Sequence, residues 1–305
     1  MKPLIFSHIP KTAGTSFRVA LAKQLGKDKI LNDYGKDEET SSELIKQAIY
    51  ERDDVFGLMV NQPKAIIGHF PINKYLNLSC YENVICFVRE PVERVISEFK
   101  HHQRHANYQG NLLEFAKLPQ NKNKMHRYLR GLPWTAIGFI GIAERYTESL
   151  NLLNRKFNFS ISKGELNQAP KDQKVDIYAQ HRTTLKRLNH LDEAIYQIAL
   201  DSFEWRIKLI ATKYHFVHGA WSLNKKDGVL SGFAFYENSH EAVTITVAVV
   251  NAEPITLVAN KFHSEIHKHD GPRRGYVGFS LPCDVQDASD IKCFASLSLQ
   301  PIPQL

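Results

Sequence analysis

The sequence predicts an α/β domain built on a mainly parallel sheet, followed by an antiparallel β-sandwich. Three observations predict it. Brief apolar runs alternate with long amphipathic stretches as far as about residue 215. Beyond that point, Thr- and Val-rich runs recur roughly every ten residues with turn residues between them. The length, 305 residues, suits one large or two ordinary domains. The expected division is 1–215 and 216–305.

In chain order, Pro3-Leu4-Ile5-Phe6-Ser7-His8 reads as a strand, and residues 15–25 as an amphipathic helix. Lys64-Ala65-Ile66-Ile67 and Val84–Val88 are further buried strands, being short, apolar and partly β-branched. Pro91 stands where a first helical turn accepts proline, and that helix runs to about residue 105. Phe139–Ile142 is another strand, leading into a helix through Ser149, Leu150, Leu152 and Leu153. A long helical pattern with Leu188, Leu191, Ile195, Ile198 and Leu209 at apolar positions closes the region. Strands alternating with helices lie parallel in a sheet covered on both faces. After a change of character near residues 215–219, residues 228–235, 243–250 and 255–258 alternate as sandwich strands do.

Composition narrows the function classes. With 43% hydrophobic and 23% charged residues the chain is globular, which excludes a mostly disordered protein. No run approaches the ~18 apolar residues of a membrane span, and the N-terminus lacks a signal-peptide core. A cytoplasmic protein without a transmembrane segment is the expectation. Cys80, Cys86, Cys283 and Cys293 show neither a CxxC pair nor zinc spacing, so they read as reduced packing residues, and no metal is expected. The formal charge is +7, yet residues from Phe216 onward hold 7 Lys+Arg against 9 Asp+Glu. The first 215 residues therefore carry 32 basic against 23 acidic residues. That excess suits an anionic cofactor, an anionic glycan or nucleic acid, and equally a solvated basic surface.

Two motifs carry chemistry. In Phe6-Ser7-His8-Ile9-Pro10-Lys11-Thr12-Ala13-Gly14-Thr15-Ser16-Phe17 a strand enters a turn of small and hydroxylated residues, and a helix begins at once. The N–H groups and dipole of a helix start attract anions, Lys11 adds a point charge, and Thr12, Thr15 and Ser16 add hydroxyls. This is a phosphate or sulfate cradle, but it lacks the GxxxxGK[ST] spacing of a Walker A loop. The second motif runs from Cys86-Phe87-Val88-Arg89 through Pro91 to Ser97-Glu98-Phe99. Arg89 ends a strand, where open α/β sheets gather ligands, and Ser97 lies about two helical turns on. A guanidinium fork and a hydroxyl suit a second, separate phosphate.

Together the motifs resemble the 5′-phosphosulfate and 3′-phosphate loops of sulfotransferases that use 3′-phosphoadenosine 5′-phosphosulfate. The likeness is to the uronyl (heparan-sulfate) 2-O-sulfotransferase type of carbohydrate sulfotransferase and its bacterial relatives. Gly68-His69-Phe70, Asn123-x-x-x-Arg127-x-Leu129-x-Gly131 and Ile140-Gly141-Ile142-Ala143-Glu144-Arg145-Tyr146 agree with further family stretches. Ile67 stands where the family often has a first histidine, so one histidine is left where there are often two.

The resemblance implies a P-loop-NTPase-like domain over residues 1–215 that moves a sulfuryl group to a carbohydrate hydroxyl by in-line displacement. It implies cofactor contacts from Lys11, Thr12, Ala13, Gly14, Thr15, Ser16, Arg89 and Ser97, with Lys11 also balancing charge on the leaving phosphate. His69 is the implied base, with Glu90 and Glu144 as alternatives; Asn123 and Arg127 are weaker acceptor contacts. The implied partner is a carbohydrate or glycolipid, neutral or anionic, and not a nucleic acid.

Several features stay open. Lys100-His101-His102-Gln103-Arg104-His105 could guide an anionic glycan or be a solvated helix face. Arg182, Lys186 and Arg187 form a weaker basic patch; Tyr75, Tyr81 and Tyr128 could stack on sugars or fill the core. In residues 216–305, an accessory β-domain, His263, His267, His269, Asp270, Arg273 and Arg274 make a polar loop. That domain could bind glycan or form a homo-oligomer. A P-loop kinase or NTPase, and a non-catalytic glycan-binding protein, are the alternative functions.

Overall fold

Five short strands make the first sheet: β1 (Leu4–Ser7), β2 (Ile30–Asp33), β3 (Ala65–Gly68), β4 (Val84–Val88) and β5 (Phe139–Ile142). The structure, a computed structural model, describes residues 2–162, 178–283, 285 and 287–305. β1, β3 and β4 are buried at every position, so they read as continuous apolar runs without alternation. The order is β2-β3-β1-β4-β5, and all neighbours are parallel. The chain leaves β1 to build one side of the sheet and returns to build the other. The carboxyl ends of β1 and β4 therefore flank the switch point, where such sheets bind ligands.

The helices are α1 (Gly14–Leu25), the single turn α2 (Glu43–Ile45), α3 (Pro91–His105), α4 (Leu112–Lys117), α5 (Lys124–Leu129), α6 (Tyr146–Phe157), α7 (Arg182–Leu188) and α8 (His190–Leu209). Pro91 opens α3, and the Glu90 carboxylate caps it by accepting the Glu93 N–H at 2.7 Å. Its apolar face, Val92, Val95, Ile96 and Phe99, packs on Leu112, Phe115 and Leu185. The last helical pattern, expected as one helix, is two. Asn189 is fully buried between them, and its Oδ1 accepts the Asn123 N–H at 3.0 Å. A buried asparagine that recruits backbone groups competes with helix continuation. β2 was not anticipated either, since two of its four residues, Asn32 and Asp33, are polar.

The parallel sheet lies in a compact unit formed by Met1–Ser79, Asn83–Arg130 and Phe139–Phe203. A second unit comprises Cys80–Glu82, Gly131–Gly138 and Glu204–Leu305. It holds β6 (Val217–Asn224), β7 (Val229–Tyr236), β8 (Val243–Val249), β9 (Ile255–Ala259), β10 (Lys261–Phe262), α9 (Ser264–Lys268), β11 (Tyr276–Pro282), β12 (Ile291–Ala295) and β13 (Pro301–Ile302). Two antiparallel four-stranded sheets result, ordered β10-β11-β7-β6 and β13-β12-β8-β9. Trp221, Leu230 and Phe279 of one meet Val243, Ile245, Val247, Ile291 and Cys293 of the other. Burial alternates along β8, which matches its Val-Thr-Ile-Thr-Val pattern. The expected α/β sheet followed by antiparallel β-structure is thus what the chain forms. Among the described residues no helix is long and apolar enough to cross a membrane.

Candidate active site

The turn between β1 and α1 is bent by two non-glycine residues in the left-handed region, Lys11 at φ 69° and Ala13 at φ 70°. L-residues pay roughly 1–2 kcal/mol each for that conformation, and it recurs where backbone amides curl round an anion. α1 has no acidic residue in its first turn, so nothing on the helix offsets its positive end. The N–H groups of Gly14, Thr15 and Ser16 belong to the turn that an α-helix cannot pair within itself. Thr15 is exposed and Ser16 half-buried. Thr12 is different: it is 1% exposed, and its hydroxyl donates to the Ile9 carbonyl at 2.8 Å. Thr12 closes the loop with its side chain, and its backbone is what it can offer a ligand.

Arg89 follows β4 and reaches across to this turn, donating from Nη1 to the Lys11 carbonyl at 3.2 Å. Register explains the approach, because β1 and β4 are neighbours with Ser7 opposite Cys86. Ser97 is half-buried on α3. The far end of α3 matters too. Burial, then Arg104 and Arg89, lower the Lys11 pKa, against a smaller upward pull from Glu98. Burial, then Lys11 and neighbouring histidines, lower that of His101. The basic run at residues 100–105 therefore shares its field with the cradle.

His69 follows β3 directly. Its ring is exposed, while its backbone N–H is fixed on the Asp33 carbonyl at 2.9 Å. Gly68 allows this approach, since a Cβ there would lie 1.7 Å from that oxygen. Dehydration, then the Lys124 cation, lower the His69 pKa to about 4. An exposed ring keeps part of its hydration; the direction matters, and it leaves a neutral imidazole at pH 7. Glu90 and Glu144 lie elsewhere, beside Arg89. Glu90 caps α3, and Glu144 accepts the Glu90 N–H at 3.0 Å and the Tyr196 hydroxyl at 3.3 Å, with Arg89 Nε at 3.8 Å. Both carboxylates already hold structural partners.

The remaining residues singled out from sequence fall mostly into packing. Asn123 links α5 to the α7–α8 junction, donating from its N–H to Asn189 and accepting the Leu191 N–H at 3.1 Å. Arg127 donates to the Gln120 carbonyl. Tyr75 is fully buried with its hydroxyl on Asp33 at 2.6 Å, and buried Tyr81 donates to the Glu265 carbonyl at 3.2 Å. Arg182 pairs with Glu93, and Lys186 with Glu193 at 3.9 Å. His263 caps α9, and His267 Nδ1 is 3.0 Å from the Arg274 carbonyl. Among the described residues no three His, Cys, Asp or Glu side chains are grouped to hold a metal ion.

Sequence reasoning missed four neighbours of His69: His8, Tyr34, Arg18 and Lys124. His8 stood inside the first motif, but its role depends on strand register. Lys124 is bonded to buried Glu98, which also binds fully buried Arg94 at 2.6 Å. An open groove lies beside α1, lined by Ser16, Val19, Ala20, Lys23, Gln24 and Ile161 among others.

The left-handed turn that carries Lys11 and the Arg89 side chain thus meet at the carboxyl edge of a parallel α/β sheet. Residues 2–132 match the family model described as "Sulfotransferase family". Over that segment, which carries both loops, the identification as a sulfotransferase relative is borne out. Among solved structures, a sulfotransferase from Alicyclobacillus acidocaldarius is similar at 13% identity and a TM-score of 0.36, covering 66% of this chain and 96% of its own. No curated protein matches the chain.

Proposed function

We propose that the chain transfers a sulfuryl group from 3′-phosphoadenosine 5′-phosphosulfate to a carbohydrate hydroxyl. The observation that carries the reading is the meeting of Arg89 and the left-handed Lys11 turn at one point of the sheet edge. Two anion-binding elements so placed suit a nucleotide with two separate anionic ends. The cradle from Lys11 to Ser16 would hold the 5′ end, and Arg89 with Ser97 the 3′-phosphate. The groove beside α1 adjoins the cradle through Ser16 and is where the nucleoside would extend.

The donor supplies sulfur whose bond to the 5′-phosphate breaks, its electron pair staying on phosphate, as the acceptor oxygen bonds to sulfur. Lys11 balances the charge that collects on the phosphate side, in place before it develops. His69, neutral at pH 7, takes the acceptor's proton. Burial first, and then the Lys124 and Arg18 cations, hold its pKa down and keep its lone pair free.

Calorimetry with 3′-phosphoadenosine 5′-phosphate against magnesium ATP tests the donor, and the bisphosphate should bind far more tightly. Preference for magnesium ATP would contradict the reading and favour a kinase or NTPase. Sulfur-labelled donor with neutral and uronic-acid glycans then tests the acceptor, with label expected on glycan. Nucleotide binding without transfer to any glycan would contradict the carbohydrate assignment.

A further inference from the structure

Three aromatic side chains that follow three adjacent strands meet beside the cradle. Tyr34 follows β2, His69 follows β3 and His8 follows β1, and these strands are in register, with Asp33 and Ser7 both opposite Gly68. The His8 and His69 ring centroids are 4.7 Å apart at 60°, and those of Tyr34 and His69 4.7 Å apart at 75°. Tyr34 Oη lies 3.0 Å from His8 Nδ1.

The three rings are not equally free. His8 is 6% exposed, stacks on Phe6 at 5.6 Å, and lies so close to α1 that a Cβ on Gly14 would fall 1.9 Å from its Cδ2. It cannot turn. His69 is exposed, and among the described residues its ring makes no hydrogen bond. Its direction is left to the two rings packed against it. Unaided, an exposed side chain samples several rotamers, and a proton acceptor that samples them spends little time aligned.

We propose that Tyr34 and His8 are positioning residues, whose linked rings hold the His69 imidazole in the direction that receives the acceptor's proton. This rests on His69 being the general base. Burial keeps the Tyr34 phenol protonated, so at 3.0 Å its hydroxyl can donate to His8 Nδ1, while the Arg18 guanidinium lies over the Tyr34 ring at 5.2 Å. His8 then carries its own proton on Nε2. It stays neutral, because it is buried and faces His69, Arg18 and Lys11. A charged His8 would oppose protonation of His69 at 4.7 Å; a neutral one does not.

The test is a double-mutant cycle read by single-turnover sulfuryl transfer to the best glycan acceptor, with 3′-phosphoadenosine 5′-phosphate affinity measured alongside. Tyr34→Phe keeps the ring and removes the hydroxyl; Tyr34→Leu removes both. The expected loss of turnover is about tenfold for Tyr34→Phe and about a hundredfold for Tyr34→Leu. Nucleotide affinity and acceptor KM should hold, and neither change should slow a His69→Ala enzyme further. Equal losses in both backgrounds would overturn the proposal, as would wild-type turnover of Tyr34→Phe. So would a parallel loss of nucleotide affinity, which would mean that Tyr34 merely supports the cradle. If His69→Ala alone turned over normally, the base assignment itself would fall, and this proposal with it.

Discussion

Arg89 donates a hydrogen bond to the carbonyl of Lys11 across 3.2 Å, joining two stretches that lie 78 positions apart in the chain. The bond explains how a loop after β1 and a residue after β4 act on one ligand. It also crowds cations together, since Lys11 loses basicity to burial, Arg104 and Arg89. A bound anion would relieve that crowding.

Removing either cation should therefore weaken nucleotide binding, by separate routes. Lys11→Ala and Arg89→Ala should each cost about 1.5–3 kcal/mol in titrations of 3′-phosphoadenosine 5′-phosphate, the range for a charge-assisted hydrogen bond. Ser97→Ala should cost less, because a neutral hydroxyl is the weaker donor. Against adenosine 5′-phosphate, which lacks the 3′-phosphate, Arg89→Ala should bind like wild type. If Arg89→Ala lost affinity only for that shorter nucleotide, its assignment would be wrong.

Gly14→Ala should damage the cradle through sterics. The new methyl would sit 1.9 Å from His8 Cδ2, and His8 is stacked on Phe6. Overpacking of this kind costs roughly 1–3 kcal/mol, visible as a lower Tm. Adding His8→Ala should restore Tm relative to Gly14→Ala alone, and no recovery would argue against the contact.

The buried strands were legible because Val84–Val88 and its neighbours are apolar at every position. α3 was legible from Pro91 at its start. Lys11 and Arg89 were found as separate motifs, but their contact depends on strand order, which local pattern does not encode. β2 escaped because it is short, half polar and at the sheet edge, and Tyr34 escaped with it. Thr12 looked like a ligand hydroxyl, and only the bend of the loop turns it to Ile9.

The histidines beside the cradle should make the fold acid-sensitive. Folding holds His8 neutral, its pKa lowered from 6.5 to about 3 by burial and then by His69, Arg18 and Lys11. The unfolded chain takes up that proton first, so stability is complete above about pH 6.5 and declines as pH falls toward about 3. His69, which faces Lys124, Glu98, Arg18 and Asp33, acts in the same direction down to about 4. Buried His8 adds up to ~1.4 kcal/mol per pH unit to the slope in that window, and exposed His69, which keeps part of its hydration, adds less. Denaturant midpoints of His8→Asn against wild type from pH 7 to 4 measure it, and an unchanged slope would contradict the assignment.

Breaking the buried charge network should cost more than any exposed pair. Glu98 binds both Lys124 and Arg94, and Arg94 is fully buried. Glu98→Leu leaves Lys124 without its carboxylate and Arg94 with only the more distant Asp192 at 4.0 Å, and losing one partner of a buried pair costs about 3–5 kcal/mol. Equilibrium unfolding of this variant checks the figure, and a loss under about 1 kcal/mol would show the network to be solvated.

The most direct test of the account is single-turnover sulfuryl transfer by His69→Ala, with nucleotide affinity and Tm measured on the same preparation. The account predicts turnover lower by ~10²–10⁴-fold, with Tm not below wild type and affinity for 3′-phosphoadenosine 5′-phosphate nearly unchanged. In the wild type, activity should persist as pH falls through 6.5 and fail nearer 4, because the imidazole stays neutral there. A folded His69→Ala protein with wild-type turnover would contradict the account and turn attention to Glu90 and Glu144.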